Sequence, residues 1–133
     1  MIGPNNKVAV VSQHGTSWSL TKGTLEKGED DMTALRREVK EEVGITEFSV
    51  IKKLGAYERY IIGKDGGEDK SELKTISFYL CSTNQNELVP EDPDNPEARW
   101  ADPDKVADLL THPRDKQFFL DQLAQVKDFI TAR

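Results

Sequence analysis

The chain has 133 residues, of which 36% are hydrophobic and 32% charged, and its formal net charge is -6. That length supports one domain, residues 1–133, with its own core, and the balance excludes a disordered chain. The acidic excess and the lack of a basic stripe argue against a nucleic-acid duplex as partner, because phosphate backbones are bound by clustered Lys and Arg.

Met1 to Asn6 has neither the charged start nor the apolar run of a signal peptide, and no apolar stretch approaches membrane-spanning length. The single cysteine, Cys81, cannot close an internal disulfide and lies in the apolar run "TISFYLCS", which suits a buried thiol in a reducing compartment. A cytoplasmic location is the expectation, with no membrane partner.

"KVAVVSQ", Lys7 to Gln13, is short, apolar and β-branched, and reads as a strand; "SWSL", after the turn-like "HGTS", reads as a shorter one. From Asp30 to Val43 the period changes: Met32, Leu35, Val39 and Val43 recur at helical spacing. Glu29, Asp30 and Asp31 crowd the helix start, where its dipole favours negative charge, and Gly44 suits its C-cap.

Phe48 to Ile62 and Leu73 to Thr83 carry strand residues on either side of the polar stretch "GKDGGEDKSE", which predicts a long hairpin with a solvated turn. The acidic residues of that turn lack the spacing of a calcium loop. Asn84 to Pro96 has three prolines and no period, so it reads as a loop leading to the short strand "EARWAD". "PDKVADLL" and a segment with Phe119, Leu123, Val126 and Ile130 at helical spacing close the chain. The order predicts a mixed α/β domain.

Glu38, Glu41 and Glu42 fall within five residues of the first helix. At about 100° per residue they are neighbours beside the apolar stripe, where their charges repel unless a cation sits among them. Hard divalent ions prefer such oxygens and are often shared with substrate phosphates. A solvent-facing acidic helix, with Arg37 to Glu41 and Arg36 to Lys40 as routine surface neighbours, is the alternative for "REVKEE" alone.

The residues ahead of the helix decide. Gly23, five residues, Glu29, seven residues and "REVKEEVGI" resemble the signature of the Nudix hydrolase family at every specified position: Gly23, Glu29, Arg37, Glu38, Val39, Glu41, Glu42, Gly44 and Ile45. Seven fixed residues at roughly 7% each make a chance match on the order of 10⁻⁸ per window. "WSLTKG" resembles the segment that enters this motif, and "EARWAD" the strand that closes the family's sheet.

The resemblance implies an α/β/α sandwich with a mixed sheet, in which the motif helix spans Asp30 to Val43 and further helices follow it at the C-terminal end. It implies that Glu38, Glu41 and Glu42 hold a divalent metal, usually Mg2+ with Mn2+ possible, with the Gly23 carbonyl as a further ligand. Glu29 and Arg37 would lock the loop to the helix, Gly44 would end it, and Gly28 would serve the turn. It also implies cleavage of a diphosphate linked to a group X by water attack on phosphorus. A base often precedes the tryptophan of the closing strand; here that region offers Asp94, with Glu97 and Glu91 nearby, and Glu41 or Glu42 as alternatives.

This chain departs from the pattern in two ways. Only "MIGPNN" precedes Lys7, where the family has an apolar strand, so either the chain is truncated at its N-terminus or the sheet is completed otherwise, for instance by a partner chain, as monomer or homodimer. Lys22 stands where many members have glycine and resembles the branches acting on dinucleoside polyphosphates and diphosphoinositol polyphosphates, whose phosphates suit an extra cation. Tyr57 and Tyr60 fall where the dinucleoside polyphosphate branch has a base-stacking tyrosine, and "KTISFYL" makes Lys74 a phosphate contact; hairpin packing and a solvated strand end are the alternatives.

Trp18 and Trp100 suit packing better than base-stacking, and His14 suits a structural turn. The expected reaction is asymmetric cleavage of diadenosine tetraphosphate to ATP and AMP. Oxidised nucleoside triphosphates, diphosphoinositol polyphosphates and ADP-ribose are rival substrates, and a nucleotide-sensing module without catalysis is the rival class.

Overall fold

Alternate residues of β1 (Val8–Gln13) enter two different cores. Val8 and Val10 pack with Leu110, Phe119 and Val126, whereas Ala9 and Val11 pack with Leu35, Val39 and Val43. A strand with both faces buried needs a layer on each side, which is the α/β/α sandwich. This is a computed structural model, and it describes residues 1–13, 17–26, 28–62, 67–93 and 96–133, with the side chains of Gln13, Ile61, Ile62, Asp69 and Glu72 set aside. His14 and Asp94 lie outside the described residues.

β1 pairs antiparallel with β2 (Ser17–Leu20) and with β6 (Ala98–Ala101). β3 (Gly23–Thr24), a two-residue strand that its sequence does not announce, pairs with β5 (Glu68–Ser82), which pairs in turn with β4 (Ser49–Ile62). Ahead of Lys7, Ile2 joins the two halves by an antiparallel bridge to Val8 and a parallel bridge to Ser82. That parallel contact makes the sheet mixed, and Ile2 is buried where the halves meet.

The hairpin departs from expectation at its far end. Glu68 to Glu72, read as turn, belongs to β5, because the ladder continues through Ile61–Asp69 and Ile62–Glu68 beyond the apolar run. Backbone pairing there needs no buried side chains.

α1 (Asp31–Val43) begins where Asp30 Oδ1 accepts from the Thr33 amide at 2.7 Å, and ends at Gly44 with φ 71°. A Cβ on residue 44 would lie 2.2 Å from the Val89 carbonyl oxygen, so only glycine fits there. Leu35, Val39 and Val43 are buried, each contributing about 1.5–3 kcal/mol, but Met32 is exposed and the apolar stripe starts one turn later than its spacing suggests. Behind the other face lie a 3₁₀ turn (Pro103–Lys105), the short α2 (Val106–Leu109) and α3 (Pro113–Ala132). Phe119 and Val126 of α3 are buried, with Leu123 and Ile130 packed against the same core.

Candidate metal and phosphate site

The Gly23–Thr24 strand and the turn after it bring the chain alongside α1. Arg37 fastens the two. Its Nε donates to Glu29 Oε2 at 2.8 Å, and its Nη2 donates to Glu29 Oε1 at 2.9 Å and to the Thr24 carbonyl at 3.0 Å. This two-pronged pairing holds the Glu29 carboxyl down at about 2. Glu29 Oε1 also accepts from the Glu26 amide at 2.9 Å, and Gly28 takes φ 84° in the same turn.

Arg37 reaches the glutamates with its remaining nitrogen. Nη1 donates to Glu38 Oε1 at 3.0 Å and to Glu41 Oε2 at 3.4 Å. Glu42 lies deeper, with its side chain 1% exposed and Lys22 Nζ 3.6 Å from Oε2. Among the described residues no three acidic, His or Cys side chains converge on one point, since Arg37 holds Glu38 and Glu41 and Lys22 faces Glu42.

Burial perturbs two of the three glutamates. Both carboxylate oxygens of Glu42 are buried without a hydrogen-bond partner. Burial pushes its carboxyl up to about 8 against the opposing pull of Lys22, and Glu38 adds to the rise. Burial and then Glu38 also raise Glu41. A buried carboxylate without hydrogen bonds costs several kcal/mol unless a cation meets it, so the donor set fits a hard divalent ion. Packing does not explain Gly23, because a Cβ there would meet the Leu35 backbone nitrogen at an ordinary 3.5 Å.

The loop after β5 closes over the end of this helix. The Val89 amide donates to the Val43 carbonyl at 2.8 Å, and the Glu91 and Asp92 amides donate to the Glu41 carbonyl at 2.9 and 3.2 Å. These bonds satisfy carbonyls that the helix end leaves open and bring an acidic loop beside Glu41. Glu97 lies farther along, half of an exposed pair with Arg99 at 3.3 Å.

The remaining predicted residues lie elsewhere. Tyr57 faces the α3 layer, stacked on Phe78 with centroids 5.3 Å apart and covered by Arg114 at 4.7 Å; its hydroxyl donates to Asp115. Stacking on a base would require Arg114 to leave that ring. Lys74 pairs across the ladder with Arg59 and so shares Tyr57's face, while Tyr60, opposite Leu73, points to the other face. Trp18 and Trp100 both pack: Trp18 beneath Arg99 at 4.3 Å, Trp100 with Nε1 donating to the Asn86 carbonyl at 2.8 Å. Cys81 is buried, and burial raises its thiol.

Sequence reasoning misses the Lys22–Glu42 pair and the cluster of Arg59, His112 and Asp115. No periodicity links positions so far apart in the chain. One signal was present for the first: a lysine replaces glycine directly before Gly23.

A family model described as the NUDIX domain matches residues 1–122. An RNA pyrophosphohydrolase of Pelagibacter ubique (strain HTCC1062) is 26% identical over 121 residues, covering 83% of this chain and 77% of that one. Among solved structures, the E. coli dihydroneopterin triphosphate pyrophosphohydrolase superposes with a TM-score of 0.69 at 20% identity, over 92% of this chain and 88% of that one. A C. elegans Ap4A hydrolase binary complex does so with a TM-score of 0.67 at 18% identity, over 94% and 86%.

Proposed function

The chain belongs to the Nudix family and is a Nudix pyrophosphohydrolase; on that premise we propose that it cleaves diadenosine tetraphosphate asymmetrically, releasing ATP and AMP. The observation that carries the site assignment is Glu42, a buried carboxylate with both oxygens lacking hydrogen bonds beside two further glutamates of the same helix. Glu38, Glu41, Glu42 and the Gly23 carbonyl would hold the divalent cation, Mg2+ or Mn2+. Such an ion neutralises phosphate oxygens and makes the attacking water more acidic.

The chain's own groups do the rest. Arg37 ties the Gly23 turn to α1 through Glu29 and holds Glu38 at 3.0 Å, so ligand positions on strand and helix keep a fixed relation. Glu41 has a carboxyl raised above its ordinary value by burial and by Glu38, and a side chain 41% exposed, so it is within reach of solvent to accept the proton that water gives up as its oxygen attacks phosphorus. The bridging P–O bond breaks and the departing phosphate carries away its electrons. Asp94 is the alternative base.

One feature supports a substrate with a long phosphate chain: Lys22 places a cation directly before Gly23. The second reading, hydrolysis of a 5′-terminal triphosphate, is favoured by the RNA pyrophosphohydrolase relative.

The test is to incubate the protein with diadenosine tetraphosphate, triphosphate-ended RNA, ADP-ribose, a diphosphoinositol polyphosphate and oxidised dGTP, with Mg2+ or EDTA. A Glu41→Gln, Glu42→Gln variant runs beside it. ATP and AMP appearing fastest, with metal and from the parent protein alone, is the expected result. Faster turnover of any other substrate overturns the substrate proposal.

A further inference from the structure

Lys22 is as deeply buried as the carboxylate it faces. The lysine side chain is 6% exposed and that of Glu42 1%, with Nζ 3.6 Å from Oε2. Nζ also donates to Ser19 Oγ at 3.2 Å, which holds the ammonium inward. Arg37 is engaged by Glu26, Glu29, Glu38 and Glu41, so among the described residues Lys22 is the cation within ion-pair reach of Glu42. At 3.6 Å the pair forms no hydrogen bond, and both Glu42 oxygens stay without one.

An ammonium that balances charge without bonding its partner is a poor fixed clamp and a good exchangeable one. We propose that Lys22 is the resident counter-ion of Glu42 and exchanges with the divalent cation, whose arrival displaces the ammonium from the carboxylate and frees it for the substrate's phosphates. The inference rests on the metal reading of the same glutamates. Two positive charges cannot share one buried carboxylate at close range without strong repulsion, since little water screens them. A lysine stem has four rotatable carbons, and the Ser19 bond is the one side-chain hydrogen bond to be given up. The released ammonium starts directly before Gly23, beside the carbonyl assigned to the cation, so it stays where the phosphates must lie. Metal and substrate binding are thereby coupled, the first preparing a cation for the second.

The experiment uses the unaltered protein. Its lysines are trace-acetylated with acetic anhydride in EDTA and in Mg2+ at a concentration that a separate binding isotherm shows to be saturating, and each site is read by peptide mass spectrometry. Lys22 acetylation is expected to rise about fivefold or more with Mg2+, while that of the exposed Lys40 and Lys70 stays level. No rise at saturation overturns the exchange and leaves the metal site standing; an absent isotherm overturns both. Lys22→Met, checked for folding by circular dichroism, is expected to bind Mg2+ about tenfold more tightly and a non-hydrolysable dinucleoside polyphosphate more weakly. Weaker Mg2+ binding by that variant would show that the lysine positions Glu42 for the metal, contrary to the proposal.

Discussion

Both faces of the sheet carry clustered titratable side chains, and the two faces partner them differently. On the α1 face Arg37 answers Glu26, Glu29, Glu38 and Glu41, and among the described residues Lys22 is the cation that answers Glu42. On the α3 face Arg59 Nε lies 3.0 Å from Asp115 Oδ1, Tyr57 donates to the same carboxylate, and Arg114 covers the tyrosine ring. His112 Nδ1 accepts from the Arg114 amide at 3.1 Å, which leaves its Nε2 to face Glu68 at 3.3 Å. Burial first, and then Arg59, hold His112 below its ordinary value, so it contributes little charge at pH 7.

The α3 cluster is therefore close to balance: two arginines against Asp115 and Glu68. It pins the far end of the hairpin to the start of α3. The α1 site has more acidic side chains than cations, and that excess is what the proposed divalent ion would offset. Buried charge alone does not distinguish a clamp from a site; the sign and size of the imbalance do.

The sharpest way to break this contrast is one substitution on each face. Glu42→Gln removes the unbalanced charge and should lower kcat about 10³-fold with the fold intact, measured by product formation and circular dichroism. Asp115→Ala should do the reverse. Stranding buried Arg59, it should cost about 3–5 kcal/mol of unfolding free energy in urea while leaving Mg2+ affinity unchanged. If Asp115→Ala weakens Mg2+ and Glu42→Gln does not, the assignment of clamp and site is wrong.

Arg37→Lys sharpens the comparison within the α1 face. A lysine keeps the charge but cannot reach Glu29 with two nitrogens and Glu38 with a third, so kcat/KM should fall about 10- to 100-fold. Gly44→Ala tests the loop that covers the helix end; with φ 71° and the Val89 oxygen in the way, it should cost about 1–3 kcal/mol.

A smaller effect concerns pH. The Glu42 carboxyl sits at about 8 when folded against an ordinary 4.5, so the folded chain keeps a proton that the unfolded chain releases. Its contribution to stability is full below about 4.5 and is lost as pH rises through about 8. A bound cation removes the cost of the charge. Thermal melts should thus show a larger rise in Tm on adding Mg2+ at pH 9 than at pH 6; an equal rise would remove Glu42 from the metal site.

Much of α1 was legible because its information is local. Leu35, Val39 and Val43 share a helical period, Asp30 caps one end, Gly44 the other, and the Gly23 to Ile45 spacing identified the family. What is not local stayed hidden. Lys22 follows a short strand and reads as a phosphate contact, yet in the fold its side chain is buried against Glu42. Arg59 and Asp115 meet because the hairpin crosses α3, and nothing in either neighbourhood announces it. Glu68 to Glu72 lack the apolar alternation of a strand, and the ladder reaches Glu68 and Asp69 across a register shift after Tyr60.

The most direct measurement is a calorimetric titration of Mn2+ into the parent protein and into Glu42→Gln at pH 8. The account predicts saturable binding by the parent, weakened at least about tenfold in the variant. Equal binding by the two proteins would contradict it, because the unbalanced carboxylate would then hold no metal.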